Sequence, residues 1–212
     1  MCYDVVLFDL DGTLTDSQEG IWNSFRYALS AYDVEPPDMR LLLGPPLAYS
    51  FRTLCGLRDE DIEPAIARYR EYFGTKGILE NRVYAGVPEM LNTLKDKGKK
   101  LILATSKAEV YAYQILRHFD LLHYFDFVGG SELNNTRTTK AEVIAYVLEG
   151  AGIVRREGIL MVGDRFHDVE GAKAMSLPCA GVLYGYGTER ELREAGADFL
   201  VAEPMELVRI TG

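Results

Sequence analysis

The sequence predicts an α/β protein: a doubly wound parallel sheet that carries a small, all-helical domain inserted after its first strand. Three observations predict this fold. Short runs of about four apolar residues alternate with segments of helical length. The runs are apolar on both faces, as strands are when helices cover both sides of a parallel sheet. A long stretch near the N-terminus lacks such runs and instead has apolar residues at helical spacing.

Five apolar runs predict the strands of the sheet, at residues 5–8, 101–104, 159–162, 181–183 and 199–201. Five segments beside them predict helices, at residues 87–97, 107–118, 139–149, 168–175 and 189–195. Gly98 and Gly150 fall where glycine commonly ends a helix. This alternation of strand and helix along the chain is typical of a doubly wound sheet.

Residues 16–82 break the alternation. Ile21, Phe25 and Leu29 recur at helical spacing, as do Ile62 and Ile66. Prolines and glycines divide the stretch into about four helices. The sequence therefore predicts an α/β core of residues 1–15 and 84–212 and a helical cap domain of residues 16–83.

The composition limits the partners of the chain. Its 212 residues carry a formal net charge of −9, with a pI near 4.9. Nucleic acid polymers and anionic membranes attract basic surfaces, so we expect the protein to bind neither. Three cysteines far apart in the sequence predict a reducing compartment rather than a disulfide framework. Because no signal peptide or membrane span is evident, we expect a cytoplasmic protein.

The segment DLDGTLTDS points to chemistry, because Asp9 and Asp11 directly follow the first predicted strand. Two like charges repel, and the pair costs free energy unless a cation or a shared proton offsets the repulsion. Thr105 and Ser106 follow the second predicted strand, and Asp164 follows the third. Since ligands bind beyond the carboxyl ends of parallel strands, we expect these groups to converge on one crevice.

Two further residues fit the same crevice. Asp168 follows Asp164 by four residues, which is one helical turn. Lys140 lies at the start of a predicted helix, and Arg137 is the alternative to it. Carboxylate oxygens are the hard ligands that Mg²⁺ prefers, while a lysine and a hydroxyl suit a phosphate group. The pattern therefore predicts a magnesium site beside a phosphate site.

In order and spacing, these motifs resemble those of the haloacid dehalogenase superfamily of phosphatases, in the branch with a helical cap. DLDGTLTDS is similar to the first motif of that family, LILATSK to the second with Thr105, Lys140 to the third, and MVGDRFHD to the fourth with Asp164 and Asp168. One departure is Ala141, which stands where many members have proline. The resemblance spans essentially the whole chain.

The resemblance implies an enzyme that hydrolyses a small phosphate monoester. Asp9 would attack phosphorus and form an aspartyl-phosphate, while Asp11 would protonate the leaving oxygen and later deprotonate the attacking water. Mg²⁺ would be held by Asp9, by the backbone carbonyl of Asp11, by Asp164 and, directly or through water, by Asp168. Thr105 and Lys140 complete the implied catalytic set, and the groups that would bind the phosphate are Gly12, Thr105, Ser106 and Lys140.

The same resemblance narrows the substrate to two leading candidates, phosphoglycolate and a nucleoside 5′-monophosphate. The segment TRTTKAEVI favours the nucleotidase-like members slightly. In capped enzymes the cap contacts the part of the substrate that is not phosphate, and the residues that we expect to do so are Gly44, Pro45, Leu47 and Arg52. Arg52 fits a solvated helix charge equally well.

Other functions fit parts of the pattern. A phosphosugar mutase or another phosphotransferase of the family would share the core motifs, but a mutase would carry a histidine shortly after the first motif. The sequence has no histidine before His118. An aspartyl-phosphate receiver domain would be shorter and would carry its acidic pair before the threonine and the lysine. The oligomeric state stays open at this level.

Overall fold

The computed structural model describes residues 2–133 and 136–212. The chain forms two compact units, an α/β unit of residues 1–15 and 83–212 and a helical unit of residues 16–82. The chain passes from one unit to the other between residues 15 and 16 and returns between residues 82 and 83.

The strands of the described residues form two sheets, and their bounds are β1 (Val5–Phe8), β2 (Thr15–Asp16), β3 (Arg82–Val83), β4 (Lys100–Ala108), β5 (Phe127–Ser131), β6 (Ile159–Gly163), β7 (Cys179–Val182) and β8 (Phe199–Val201). The large sheet has the order β5-β4-β1-β6-β7-β8, and its strands pair in parallel. β2 and β3 form the small sheet. This arrangement confirms the predicted doubly wound parallel sheet.

The helices divide between the two units. The helical unit contains α1 (Gln18–Leu29), α2 (Met39–Leu42), α3 (Leu47–Tyr49) and α4 (Asp59–Tyr72), with π-helical turns at Ser50–Leu54 and Phe73–Gly77. The α/β unit contains α5 (Val87–Asp96), α6 (Glu109–His118), α7 (Lys140–Gly150), α8 (Phe166–Ala174), α9 (Glu189–Ala195) and α10 (Glu206–Thr211), with a 3₁₀ turn at Leu122–Tyr124.

The central strands lie in the core because they are apolar on both faces. In β1, Val6, Leu7 and Phe8 are fully buried, and every residue of β6 is buried. Burial of a side chain of this size stabilises a fold by roughly 1.5–3 kcal/mol relative to its exposure to water. Part of the free energy gained on burial therefore comes from the strands whose ends carry the polar motifs.

Strand β5 was not predicted, and its composition explains why. Its sequence, FVGGS, has two glycines in place of an apolar run. A Cβ atom at Gly129 would overlap the side chain of Val147 on α7, and one at Gly130 would overlap the carbonyl oxygen of Lys107. Close packing against neighbouring backbone and helix selects glycine here, although glycine is generally unfavourable in a strand.

Strand β4 is longer than its apolar run. The run predicts four residues and a helix from residue 107, whereas the strand extends from Lys100 to Ala108 and α6 begins at Glu109. The prediction of a helix at residues 107 and 108 was therefore wrong. The extension pairs with β5, with Ala108 opposite Ser131 after an irregular register. This pairing keeps Lys107 in extended backbone.

Aromatic rings form the core of the helical unit. Phe25 on α1 packs against Phe51 and against Tyr69 on α4, with ring centroids 5.0 Å apart in both pairs. Tyr69 also stacks on Phe73, at 5.7 Å. Phe25 is one of the residues that recur at helical spacing in the sequence, and the rings form a core within this unit.

We expect Gly20→Ala to destabilise the protein by about 2 kcal/mol or more, measured by urea unfolding. A Cβ atom at this position would overlap the carbonyl oxygen of Gly77, and backbone cannot move aside as a side chain does. At an exposed helical position the same change stabilises a protein by about 1 kcal/mol. A loss of stability in Gly20→Ala would therefore support the overlap, and a gain would contradict it. The exposed residue Glu63 on α4 provides the control, and Glu63→Ala should change stability little.

Candidate active site

The sheet brings the predicted polar residues to one edge. β1 lies between β4 and β6 and is parallel to both, so the carboxyl ends of the three strands are neighbours. Asp9 directly follows β1, and its backbone N–H donates a hydrogen bond to the carbonyl oxygen of Val162 on β6, at 2.9 Å. Thr105 lies in β4 and Asp164 directly follows β6. The convergence that the strand ends predict is present in the structure.

Lys140 supplies a positive charge at this edge of the sheet. Thr139 caps α7 in a capping box with Glu142, which places Lys140 at the first helical position. The ammonium group of Lys140 is buried and lies 2.7 Å from Asp9 Oδ1, 2.7 Å from Asp168 Oδ1 and 3.1 Å from the carbonyl oxygen of Ala104. One lysine therefore holds two carboxylates together.

The electrostatics of Lys140 favour its charged form. Burial alone lowers the pKa of a lysine, but the adjacent carboxylates of Asp168 and Asp9 outweigh burial and raise the pKa of Lys140 above its ordinary value. Arg137 does not take this place. Its guanidinium binds the carbonyl oxygen of Gly130 and Glu132 and lies 3.7 Å from the ring centre of Tyr146.

Asp164 and Asp168 are buried carboxylates that receive hydrogen bonds from the surrounding chain. The backbone N–H of Tyr186 donates to Asp164 Oδ2 at 2.8 Å, and the Thr13 hydroxyl lies 3.4 Å from Oδ1. The backbone N–H of Arg165 donates to Asp168 Oδ2 at 3.1 Å. Burial raises the pKa of Asp164 well above its usual range, and the charges of Asp168 and Asp9 raise it further. Burial also raises the pKa of Asp168.

These residues fit a divalent cation. Asp9, Asp164 and Asp168 each offer a carboxylate oxygen, and the three oxygens lie within 4.8 Å of one another. Together with Asp11 they make four carboxylates, of which Asp9 and Asp168 pair with Lys140 and Asp11 pairs with Lys107. When all six are ionised, two negative charges are in excess, which one Mg²⁺ ion would offset. Burial and the neighbouring charges of Asp168 and Asp9 raise the pKa of Asp164, and a bound cation would offset this cost.

The side chain of Asp11 is not part of the carboxylate cluster. Its Oδ2 atom forms an ion pair with Lys107 Nζ at 2.7 Å, and the Lys107 side chain is only 9% exposed. Its Oδ1 atom is buried and has no hydrogen-bond partner among residues 2–133 and 136–212. Sequence reasoning missed Lys107, although the residue stands two positions after Thr105 in the second motif.

Thr105 and Ser106 differ in their surroundings. Thr105 is buried, and its hydroxyl oxygen accepts a hydrogen bond from the backbone N–H of Lys107 at 3.2 Å. Ser106 is exposed. The Thr105 hydroxyl keeps its own proton to donate, as a group that binds an anion requires.

Glycines let the backbone approach the carboxylates. Gly12 has a φ of +84°, and a Cβ atom there would overlap the carboxylate of Asp164. Gly185 and Gly187 lie in the segment after β7, and a Cβ atom at either would overlap Asp164 or the backbone of Gly12. Sequence reasoning missed this second segment, which carries the Tyr186 N–H donor. Two glycines shortly after an apolar run were the available signal.

The residues proposed for substrate selection lie in the helical unit. Gly44 has a φ of +107°, and Pro45 is half-buried. The half-buried Leu47 begins α3. The Arg52 guanidinium forms an ion pair with Asp59 at 2.7 Å, and its side chain is 57% exposed. Nearby Tyr49 has 49% of its surface exposed, a large value for an aromatic side chain.

Within residues 2–133 and 136–212, every helix is too short or too polar to span a membrane.

Comparison with known sequences identifies the family. The haloacid dehalogenase-like hydrolase family matches residues 6–182. This range begins in β1, ends in β7 and includes every residue of the carboxylate cluster.

Individual relatives agree with this match. A 5′-nucleotidase of Pseudomonas aeruginosa is 44% identical over 194 residues, which cover 90% of this chain and 87% of the relative. The tyrosine-protein kinase PtkA of Mycobacterium tuberculosis is 40% identical over 86% of this chain and 63% of its own length. The crystal structure of a predicted phosphatase from Clostridium acetobutylicum has a TM-score of 0.92 and 44% identity, over 99% of this chain and 98% of that one. The chain therefore belongs to the haloacid dehalogenase-like hydrolase family, as its motifs predicted.

Proposed function

We propose that the protein is a Mg²⁺-dependent phosphatase that hydrolyses a small phosphate monoester through an aspartyl-phosphate on Asp9. The observation that carries the proposal is the cluster of Asp9, Asp164 and Asp168 around Lys140 at the ends of three parallel strands. In a member of this hydrolase family, such a cluster supplies a nucleophile, the ligands of a cation and a positive charge for the phosphate.

In the first step, a carboxylate oxygen of Asp9 forms a bond to phosphorus while the bond from phosphorus to the leaving oxygen breaks. Asp11 donates a proton to the leaving oxygen and becomes a carboxylate. In the second step, Asp11 takes a proton from water as the water oxygen attacks phosphorus, and the Asp9 carboxylate departs. Division into two steps replaces one difficult hydrolysis with two easier displacements.

The surrounding groups stabilise the charge that the phosphoryl group carries. The buried Lys140 ammonium screens Asp9 from the incoming anion, and the Thr105 hydroxyl provides a hydrogen-bond donor. Gly12 lies in the turn beside Asp11, with its own N–H bonded to the carbonyl oxygen of Thr15 at 2.7 Å. Ser106 lies beside them with its side chain exposed. Mg²⁺, held by Asp9, the backbone carbonyl of Asp11, Asp164 and Asp168, would neutralise phosphoryl charge as a Lewis acid.

A nucleoside 5′-monophosphate suits the chain better than phosphoglycolate. The relative named 5′-nucleotidase supports this choice. In the helical unit, Tyr49 exposes an aromatic ring that can stack on a base, and Leu41 exposes an apolar side chain. A carboxylate such as that of phosphoglycolate requires a cation, and the one proposed for it, Arg52, forms an exposed ion pair with Asp59 in the structure. We therefore propose that Tyr49, near Gly44, Pro45 and Leu47, selects the leaving group.

The relative named tyrosine-protein kinase supports one alternative, phosphoryl transfer to an acceptor other than water. An assay that follows both inorganic phosphate release and transfer of label from ATP to protein tyrosine separates the two. Rapid phosphate release with no tyrosine labelling supports the phosphatase.

We expect Asp9→Asn and Asp11→Asn to inactivate the enzyme differently. Asp9→Asn removes the nucleophile and should lower kcat by about 1,000-fold or more on every substrate. Asp11→Asn keeps the nucleophile, and with p-nitrophenyl phosphate, whose leaving group needs little protonation, it should still form a phosphoenzyme that decays slowly. Rapid quench with labelled substrate measures both. Full Mg²⁺-dependent turnover by Asp9→Asn would contradict the covalent mechanism.

We expect Asp164→Asn to raise the Tm of the metal-free protein at pH 7 by about 3 °C and to abolish its stabilisation by MgCl₂. A carboxyl group whose pKa is raised on folding contributes stability below its ordinary pKa and loses it as the pH rises through the raised value. At neutral pH the charged Asp164 is thus unfavourable without a cation. Differential scanning fluorimetry with and without MgCl₂ measures both effects.

Asp126→Asn is the matched control for this experiment. Hydrogen bonds from Lys95 and from the backbone of Leu101 outweigh partial burial and lower the pKa of Asp126, so its ionised form stabilises the fold. Its substitution should lower the Tm and leave the effect of MgCl₂ intact. If Asp164→Asn retained the wild-type response to MgCl₂, Asp164 would not be a ligand.

We expect Tyr49→Ala to lower kcat/KM for AMP by about tenfold and to change p-nitrophenyl phosphate hydrolysis little, because a lost base stack costs about 1–3 kcal/mol. Arg52→Ala should leave AMP hydrolysis nearly unchanged. The reverse pattern, with Arg52→Ala harmful and phosphoglycolate the better substrate, would overturn the choice of a nucleotide. Arg58→Ala, which removes another exposed ion-paired arginine of the same unit, is the control.

A further inference from the structure

We propose that Lys107 is a positioning residue for the acid and base steps of the reaction. It holds one carboxylate oxygen of Asp11, so that the other oxygen carries the proton to the leaving group and takes it from water. This inference rests on the proposed phosphatase reaction and adds to it a residue that the motifs do not assign.

The ion pair is short and protected from solvent. Lys107 Nζ lies 2.7 Å from Asp11 Oδ2, with the lysine side chain 9% exposed and the aspartate side chain 21% exposed. An exposed pair contributes little, because water and salt screen it, whereas a largely buried pair restricts both side chains. The contact therefore fixes the orientation of the Asp11 carboxylate.

The second carboxylate oxygen of Asp11, Oδ1, is the one available for proton transfer. Asp11 Oδ1 is buried, and no hydrogen bond reaches it within residues 2–133 and 136–212. A buried oxygen without a partner is unfavourable in a resting protein and is therefore rare. A leaving oxygen or an attacking water would provide the missing partner during the reaction.

The backbone holds Lys107 in place for this contact. Lys107 lies in the extension of β4, and its N–H donates to the Thr105 hydroxyl oxygen at 3.2 Å. The neighbouring strand β5 comes so close that a Cβ atom at Gly130 would overlap the Lys107 carbonyl oxygen. The lysine is thus anchored on both sides of its Cα, next to a residue proposed to bind phosphate.

The ion pair stabilises the product of proton donation. When the bond from phosphorus to the leaving oxygen breaks, the proton moves from Asp11 to that oxygen and Asp11 becomes a carboxylate. The Lys107 ammonium then faces a full negative charge across the contact of 2.7 Å that the structure shows. The same arrangement holds the carboxylate ready to accept a proton from the water that attacks the phosphoenzyme.

The test is the dependence of kcat/KM on the leaving group, measured with p-nitrophenyl phosphate, phenyl phosphate and glycerol phosphate. kcat/KM reports the steps up to departure of the leaving group, and poorer leaving groups depend more on proton donation. The fold-loss of kcat/KM caused by Lys107→Met should be at least about tenfold larger with glycerol phosphate than with p-nitrophenyl phosphate. Lys107→Arg, which keeps the charge, should lie nearer to the wild type.

A double-substitution experiment links the effect to Asp11. In an Asp11→Asn background, Lys107→Met should not steepen the leaving-group dependence further, because the group that it positions is already absent. Lys95→Met, which removes a lysine paired with Asp126 elsewhere in the unit, should leave the dependence unchanged. Circular dichroism melts check that each variant is folded.

Two results would overturn the inference. An equal loss on all three substrates, with weaker inhibition by inorganic phosphate, would make Lys107 a phosphate-binding residue instead. An unchanged leaving-group dependence in a folded Lys107→Met protein would show that Asp11 needs no such partner. A failure of the proposed function is distinguishable from these results, because the wild-type protein would then form no phosphoenzyme and release no phosphate.

Discussion

The structure of the candidate active site depends on the burial of like charges around one lysine. Asp9, Asp164 and Asp168 offer oxygens within 4.8 Å of one another, and Lys140 contacts two of these residues at 2.7 Å. Charges so placed are costly unless each is paired and hydrogen-bonded. The fold meets this requirement in part, with a capped helix that delivers Lys140 and with backbone N–H groups directed at Asp164 and Asp168. The residual negative charge is what makes the cluster suitable for a divalent cation.

Such a cluster can form only where the backbone comes unusually close to the carboxylates. Gly12 in the first motif, Gly163 at the end of β6 and Gly185 after β7 occupy positions where any Cβ atom would overlap Asp164 or Asp168. Three separate strand ends therefore form the wall of the site with main chain instead of side chains. The main-chain N–H groups of Arg165 and Tyr186, just beyond two of these strand ends, can therefore reach the carboxylates of Asp168 and Asp164.

The sequence predicts the features that depend on composition or on a motif, and it does not predict the features that depend on packing. The strands with continuous apolar runs were predicted because burial on both faces is visible in their composition. Strand β5 was not predicted, because its close contact with α7 and β4 requires glycine where an apolar run would be expected. Lys140 is recognisable from its motif. Lys107 is not, because its role depends on the extension of β4 past its apolar run. The hydrogen-bond donor at Tyr186 is its backbone N–H, so the identity of the side chain at this position does not indicate the contact.

The separate surroundings of Asp9 and Asp11 explain how two carboxylates only two residues apart can have different roles. Asp9 is paired with Lys140 inside the carboxylate cluster, where a cation and a phosphate would both be attracted. Asp11 is turned to Lys107, outside that cluster, with one oxygen buried and unbonded among the described residues. Two titratable groups whose environments differ in this way can divide nucleophilic attack and proton transfer between them. The Gly12 turn that follows Asp11, with its positive φ, lets the backbone pass close to the Asp164 carboxylate only because glycine has no Cβ atom.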